Sequence, residues 1–171
     1  MNPVTIVAAT SANSRELFDW RNDPGTRRAS KHSAPIDWET HAAWFAAALV
    51  SPDRTIYIGY SESKKIGCIR FDRIRDSGET FLVSIVIAPQ ERGRGFGMAL
   101  LRSGIAILPT ARLEAEIAIE NLASQRIFEA CGFERIFDGS DDQFLRYRRA
   151  SVASSGDATG ESAEIPFQRP R

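Results

Sequence analysis

The segment IVIAPQERGRGFGMALL, residues 85–101, joins an apolar run to a helix-like one through a turn crowded with glycine. Gln90, Gly93 and Gly95 have the spacing Q-x-x-G-x-G, and Gly97 follows two residues on. Glycine lacks the Cβ that would hinder backbone amides from approaching an anion, and a helix N-terminus adds unpaired N–H groups and partial positive charge. Arg92 and Arg94 place two cations in the same turn. A pyrophosphate fits this chemistry. Taken alone, such a turn is more often only a tight turn, so its surroundings must decide. Two other phosphate motifs can be tested directly. A dinucleotide fingerprint starting at Gly93 requires a small residue where Met98 stands, and the G-K-[ST] of a Walker A loop is absent.

The elements that must position this turn follow from periodicity. A strand over 80–88 leads into it, and a helix over 96–108 leaves it with Leu101, Ile105 and Leu108 on one stripe and Pro109 closing it. Runs 54–60, 65–75 and 80–88 alternate, as in Ile56, Ile58, Tyr60 and then Ile69, Phe71, with turns at 61–64 and 76–79, which predicts an antiparallel meander. Ahead of it lie a strand at 4–8 and a helix capped by Ser11 that runs through Leu17, Phe18 and Trp20 until Asn22, Asp23, Pro24 and Gly25 end it. A second helix starts after Asp37, with Phe45 and Leu49 at i and i+4. Beyond the central helix come a strand at 113–119 with Glu114 and Glu116 on a solvated face, a helix at 121–131, and strands near 133–137 and 143–148. The order β-α-α-β-β-β-α-β-α-β-β predicts an α+β fold, a mixed and mostly antiparallel sheet with helices on both faces.

Composition sets bounds on function. With 171 residues, 43% of them apolar, the chain can bury one sizeable core, so one domain is expected. Lysine plus arginine equals aspartate plus glutamate at 22 each, which removes any general pull toward nucleic acid or an anionic membrane. No basic start precedes a long apolar run and no stretch is long enough for a bilayer, so a cytoplasmic location is expected. Cys68 and Cys131 lie far apart without a CxxC partner, which suggests neither a zinc site nor a disulfide framework, and no metal is expected. Residues 150–171, rich in Ser, Gly, Ala and Pro, are expected to form a disordered tail, leaving function to residues 1–149.

Residues 85–97 resemble the acetyl-CoA signature of the GNAT N-acetyltransferase family, a strand followed by [QR]-x-x-G-x-[GA] opening a helix. The second half of that signature, N-x-x-[SA]-x-x-x-[YF]-x-x-x-G-F, is matched by Asn121, Ser124, Phe128, Gly132 and Phe133. The resemblance extends to the inferred element order and implies acetyl-CoA as co-substrate. It implies that Ile85, Val86 and Ile87 meet the pantetheine arm through backbone groups. It also implies that the motif from Gln90 to Gly97, chiefly the amides of Arg92, Gly93, Arg94, Gly95 and Phe96, surrounds the pyrophosphate. Asn121 would hold the pantetheine amide, with Ser124 near the coenzyme. Asn121 and Gly132 are equally good caps for the helix between them, and the two roles are compatible.

Acyl transfer to an amine requires loss of an ammonium proton, an oxyanion donor and protonation of the leaving thiolate. The resemblance places the oxyanion donor in the backbone near Val86. Many members carry an acidic tyrosine where this chain has Phe128, so the thiolate leaves unassisted, takes a proton through water, or uses Tyr147, Ser124 or Cys131. The family's carboxylate base has Ser84 at its position, a residue able to order a water. Glu79, Glu116 and Glu120 are the next carboxylates to consider, and His41 has a suitable ordinary pKa, although a lone helical histidine is more often structural.

The N-terminal helices build the acceptor pocket in this family. Trp20-Arg21-Asn22-Asp23, followed by Ile36, His41, Trp44 and Phe45, resembles the branch that acetylates the amino group of a nucleotide-linked amino sugar in pseudaminic acid biosynthesis. On that reading Arg21 pairs with nucleotide phosphate, Trp20 or Trp44 stacks on a sugar or base, and Asn22 and His41 bond hydroxyls. The competing reading makes these aromatics core residues at helical spacing. Protein N-terminal or small-molecule amine acetylation is the alternative within the family, and a non-catalytic acyl-CoA-binding module the alternative outside it. The expected partner is a small-molecule amine, not nucleic acid or membrane, bound by a monomer or homodimer.

Overall fold

The alternating runs pair into a seven-stranded sheet in the order β1-β2-β3-β4-β5-β7-β6. The computed structural model describes residues 3–137 and 142–151, so the tail expected over 150–171 lies, from residue 152 onward, outside the described residues. The strands are β1 Val4–Ala8, β2 Arg54–Ser61, β3 Lys64–Arg73, β4 Thr80–Ile87, β5 Arg112–Ala118, β6 Glu134–Ile136 and β7 Phe144–Arg149. The helices are α1 Ser14–Asn22, α2 Pro24–Arg28, α3 Trp38–Val50, α4 Phe96–Ile105 and α5 Leu122–Ala130. The predicted meander is β2-β3-β4, and every neighbouring pair is antiparallel except β4 with β5.

Alternation sorts the strand side chains into two cores. On one face Val83, Phe81, Ile85 and Ile87 of β4 pack with Ile69, Phe71, Leu100, Leu113 and Phe128, beneath α4 and α5. On the other, Val86 and Ala88 pack with Leu17, Trp20, Phe45, Ile56 and Ile58, beneath α1 and α3. Each large apolar side chain so buried stabilises the fold by about 1.5–3 kcal/mol before conformational entropy is counted. Trp20 and Phe45 of the N-terminal helices therefore hold this second layer on the sheet.

One expected terminator is a helix start. Asp23 accepts from the Thr26 amide at 2.9 Å and Pro24 occupies the first turn, so α2 begins where α1 was expected to give way to loop. Asp37 caps α3 as expected, accepting from the Thr40 amide at 2.7 Å. The central helix stops at Ile105, before the expected 108, because the Ile107 and Leu108 amides bond tightly back to Gly104 and Ile105 at 3.1 Å each.

The feature that makes a site is the parting of β4 from β5. They pair only from Thr80 to Leu82, against Arg112 to Glu114. Past that point β4 remains paired with β3 as far as Ile87, and β5 with β7 as far as Ala118. A wedge opens between two otherwise regular strands.

Candidate active site

Hydrogen-bond register decides which backbone groups face the wedge. Thr80 accepts from the Ile74 amide at 2.8 Å and the Ala88 amide donates to Ile66 at 3.0 Å, so the even-numbered residues of β4 bond β3. Glu79 on the odd side accepts from the Arg112 amide at 2.9 Å, toward β5. Ile85 and Ile87 consequently direct their N–H and C=O groups into the opening, whereas Val86 spends its own on β3. A backbone N–H near Val86 that faces the opening is thus that of Ile85 or Ile87 and not that of Val86, because backbone direction alternates along a strand.

At the wide end of the wedge lies the glycine turn. Gly93 and Gly95 have φ of 73° and 80°, a left-handed conformation that favours glycine, and Gly95 is the N-cap of α4. Among the described residues no group accepts from the amides of residues 92 to 98, since the first bond into α4 comes from Ala99 to Gly95 at 3.5 Å. These are the orphan donors of a helix start extended by a nest of loop amides, a cradle for an anion. Gly97 has a packing reason as well: a Cβ there would lie 2.8 Å from Ile127 Cδ1, so glycine lets α4 approach α5.

The two arginines of the turn are already engaged. Arg92 pairs with Asp23 at 2.7 Å and donates to Thr26 Oγ1 at 2.8 Å and to the Ile87 carbonyl at 3.3 Å, tying the turn to α2. Arg94 pairs with Glu91 and lies 5.2 Å over the Phe96 ring. Gln90 is exposed beside this turn and lines a broad surface hollow of 660 Å³ with Glu16, Asp19, Trp20 and Lys65. Across the wedge Asn121 caps α5, its Oδ1 accepting from the Ser124 amide at 3.1 Å.

Ser84 is half-buried on the α1 and α3 face, opposite Arg70 in register, and no described residue bonds its hydroxyl. Tyr147 does not join it. Its side chain is 1% exposed in the core on the other face, beside Phe128, and its hydroxyl donates to Glu129 Oε1 at 3.1 Å. Burial first, and then Glu129, push the phenol pKa up, so it is a reluctant acid aimed away from Ser84. Phe128 meets Phe133 edge-on at 4.9 Å and offers no proton. Glu79 sits at the closed end of the wedge, six residues from Ile85 and thus about 20 Å away along the strand.

His41 is structural in this arrangement. It is 2% exposed, stacked on Phe45 at 5.8 Å and edged by Phe18, and its Nε2 donates to the Ser14 carbonyl at 2.9 Å, tying α3 to α1. Burial lowers its pKa, only partly opposed by that carbonyl. Asn22 likewise turns inward, accepting from the Ile36 amide at 2.9 Å and donating to the Ile36 carbonyl at 2.8 Å. Trp20 is buried in the second core, and Trp44 is 37% exposed under the guanidinium groups of Arg54 and Arg70. Arg21 donates to the His32 carbonyl at 2.5 Å.

Sequence reasoning missed the strap these contacts serve. The loop from α2 to α3 is held by Arg21, by Asn22 and by Arg27 donating to the Ser33 carbonyl at 3.2 Å. From it Lys31 reaches Glu116 on β5 at 2.8 Å and lies 5.5 Å over the Phe144 ring. Glu114, expected in solvent, is 6% exposed between Arg146 at 2.7 Å and Arg148 at 2.9 Å. The strand at 144–149 places those two arginines on the same face, and no local pattern reveals that pairing.

A strand wedge lined by β4 backbone that β5 does not pair, ending at a glycine cradle of unpaired amides, defines an acyl-coenzyme A transferase architecture. A family model described as an acetyltransferase (GNAT) domain matches residues 4–134. The chain belongs to the GNAT acetyltransferase family and is an acetyl-CoA-dependent N-acetyltransferase. No curated protein sequence matches it. Among solved structures, RimL, a ribosomal alpha-N-protein acetyltransferase in complex with coenzyme A, aligns at TM-score 0.77 and 12% identity over 90% of this chain and 97% of its own. Spermidine N-acetyltransferase from Vibrio cholerae, in complex with CoA and spermine, aligns at 0.75 and 16% over 86% and 95%. The yncA protein of Salmonella typhimurium, with acetyl-CoA, aligns at 0.70 and 20% over 92% and 100%. At these identities they establish the fold alone. Among the described residues no helix is long and apolar enough to cross a membrane.

Proposed function

We propose that this enzyme moves the acetyl group of acetyl-CoA onto the primary amine of a small polar acceptor, a nucleotide-linked amino sugar being the reading its N-terminal motif favours. The observation that carries the transfer reading is the wedge of unpaired β4 backbone ending at the glycine turn. The Lys31 to Glu116 contact, which ties the α2 to α3 loop to β5 beside that wedge, is what favours a small acceptor over a peptide. The amides of residues 92 to 98 hold the pyrophosphate, and Asn121 and Ser124 border the pantetheine arm. Acetyl-CoA supplies the activated acyl group. Ile85 or Ile87 offers the N–H that meets the developing oxyanion. Ser84 orders the water that accepts the amine proton, and with Phe128 unable to donate, the thiolate takes its proton from solvent. Loss of a dedicated acid costs roughly 10²- to 10⁴-fold where one is needed, which slows the reaction without abolishing it.

The test is release of free CoA thiol from acetyl-CoA in the presence of glucosamine, a nucleotide-linked amino sugar, spermidine or short peptides. Turnover of amino sugars above the others supports the reading. Turnover of peptides alone makes the protein an N-terminal acetyltransferase, and tight acetyl-CoA binding without release from any amine makes it a binding module.

A further inference from the structure

The face of the wedge that carries Ser84 holds more positive charge than its carboxylates match. Asp72 is taken by Arg54 and by Arg70 at 2.7 Å, Glu114 by Arg146 and Arg148, Glu116 by Lys31, and Asp23 by Arg92. Arg21 and Arg27 pair with no carboxylate among the described residues and bond only the carbonyls of His32 and Ser33. Arg21 Nη1 and Arg27 Nε are shut off from solvent without a partner, and Arg70 Nε, though close to Asp72, lies off line for a hydrogen bond. Leaving a charged donor buried and unsatisfied is costly, so Arg21 and Arg27, which bond the adjacent carbonyls of His32 and Ser33, carry a standing cost that a bound group would relieve. Burial first, then repulsion from Arg27 and Arg70, lowers the Arg21 pKa. Arg70 is the cross-strand neighbour of Ser84, the residue assigned above to the water that takes the amine proton.

We propose that Arg21, Arg27 and Arg70 form an oxyanion subsite for the acceptor, so that the amine this enzyme acetylates carries a phosphate or carboxylate group. The assignment rests on the transferase reading for its purpose, though not for its geometry. A polycation is the wrong charge for this wall, and like charges at such range are repelled. A planar guanidinium fork suits either oxyanion, and three forks suit phosphate best.

The subsite can be read without turnover. With the protein saturated by CoA, so that the glycine cradle is filled, inorganic phosphate and acetate are titrated in while the arginine Nε–Hε resonances are followed by NMR. Phosphate should move the signals of Arg21, Arg27 and Arg70 together. Arg27→Gln should weaken that binding at least tenfold, and Arg28→Gln, an exposed neighbour, should leave it unchanged. Acetate acting as well admits carboxylate acceptors; phosphate acting alone restricts the class to phosphate esters. Failure of both anions to move these signals overturns the subsite, as does an equal effect of Arg28→Gln. In the thiol-release assay glucosamine 6-phosphate should show a KM at least tenfold below that of glucosamine, and Arg27→Gln should raise that KM without changing the KM for acetyl-CoA. Spermidine or glucosamine turned over as well as the phosphate ester overturns the subsite while leaving the transferase intact. Absence of release from every amine defeats the transferase reading and leaves the titration to judge the subsite.

Discussion

Replacing Gly93 by alanine separates what the glycine turn does for the fold from what it does for coenzyme. Gly93 has φ of 73°, and a Cβ built on it meets no atom within 4 Å. The folding cost is therefore backbone strain, about 1–2 kcal/mol for an L-residue in the left-handed region, reduced by roughly 0.4–1 kcal/mol because alanine also stiffens the unfolded chain. Gly78, in the turn between β3 and β4, supplies the control: its φ is 65° and its Cβ position is equally open. Gly78→Ala and Gly93→Ala should lose similar stability, each lowering the melting temperature by about 2–4 °C per kcal/mol in a chain of this size. Binding should differ. A strained alanine in the cradle relieves itself by turning its peptide, which pulls the next amide out of line with the pyrophosphate. One charge-assisted hydrogen bond is worth about 1.5–3 kcal/mol, roughly a 10- to 150-fold rise in Kd. Calorimetric titration of acetyl-CoA into both variants is the assay. Equal affinity in two variants that melt alike would show that the amides of residues 92 to 98 do not hold the coenzyme.

His41 has a pKa depressed below its ordinary 6.5 by burial, so the folded state stays neutral while the unfolded chain takes up a proton. Stability should be full above that value and decline as pH falls below it, by at most about 1.4 kcal/mol per pH unit, and urea melts of His41→Gln should lack this component. Glu114→Gln should cost about 1–3 kcal/mol by urea unfolding, because two half-exposed arginines lose one shared carboxylate; a change below about 0.5 kcal/mol, as is typical of exposed pairs, would show the cluster to be solvent-screened. Cys68 has its thiol pushed up to about 12 by burial, whereas Cys131 is only half-buried. Iodoacetamide at about pH 8 should label Cys131 well before Cys68 in the native protein, and equal labelling would contradict the packing of β3 against α1 and α3.

Much of the glycine turn was legible because its information is local. Gln90, Gly93, Gly95 and the helix that follows lie within a few residues of one another, and a left-handed turn opening a helix can be read from glycine spacing and the start of a 3.6-residue period. Asp37 and Asn121 were legible as caps for the same reason. Asp23-Pro24 ends α1 as expected; what local sequence did not reveal is that the same pair begins α2, which turned on Asp23 reaching the Thr26 amide.

The surroundings of the residues expected to meet the acceptor were not legible. His41, Asn22 and Trp20 have residue types suited to sugar recognition, yet they bond Ser14, Ile36 and the apolar layer under α1 and α3. Nothing in the run containing Arg70 marks it as the neighbour of Ser84, and nothing near Lys31 points to Glu116.

The chain by itself determined its element order, its glycine cradle and the two apolar faces of its sheet, since these depend on conformations and periodicities that span a few residues. Tertiary structure alone decided where β4 leaves β5, that Ile85 and Ile87 rather than Val86 face the opening, and that Arg70 lies opposite Ser84. Those outcomes arise from register and charge pairing between segments tens of residues apart, where each contact is selected by the packing of the whole rather than by its neighbours in sequence.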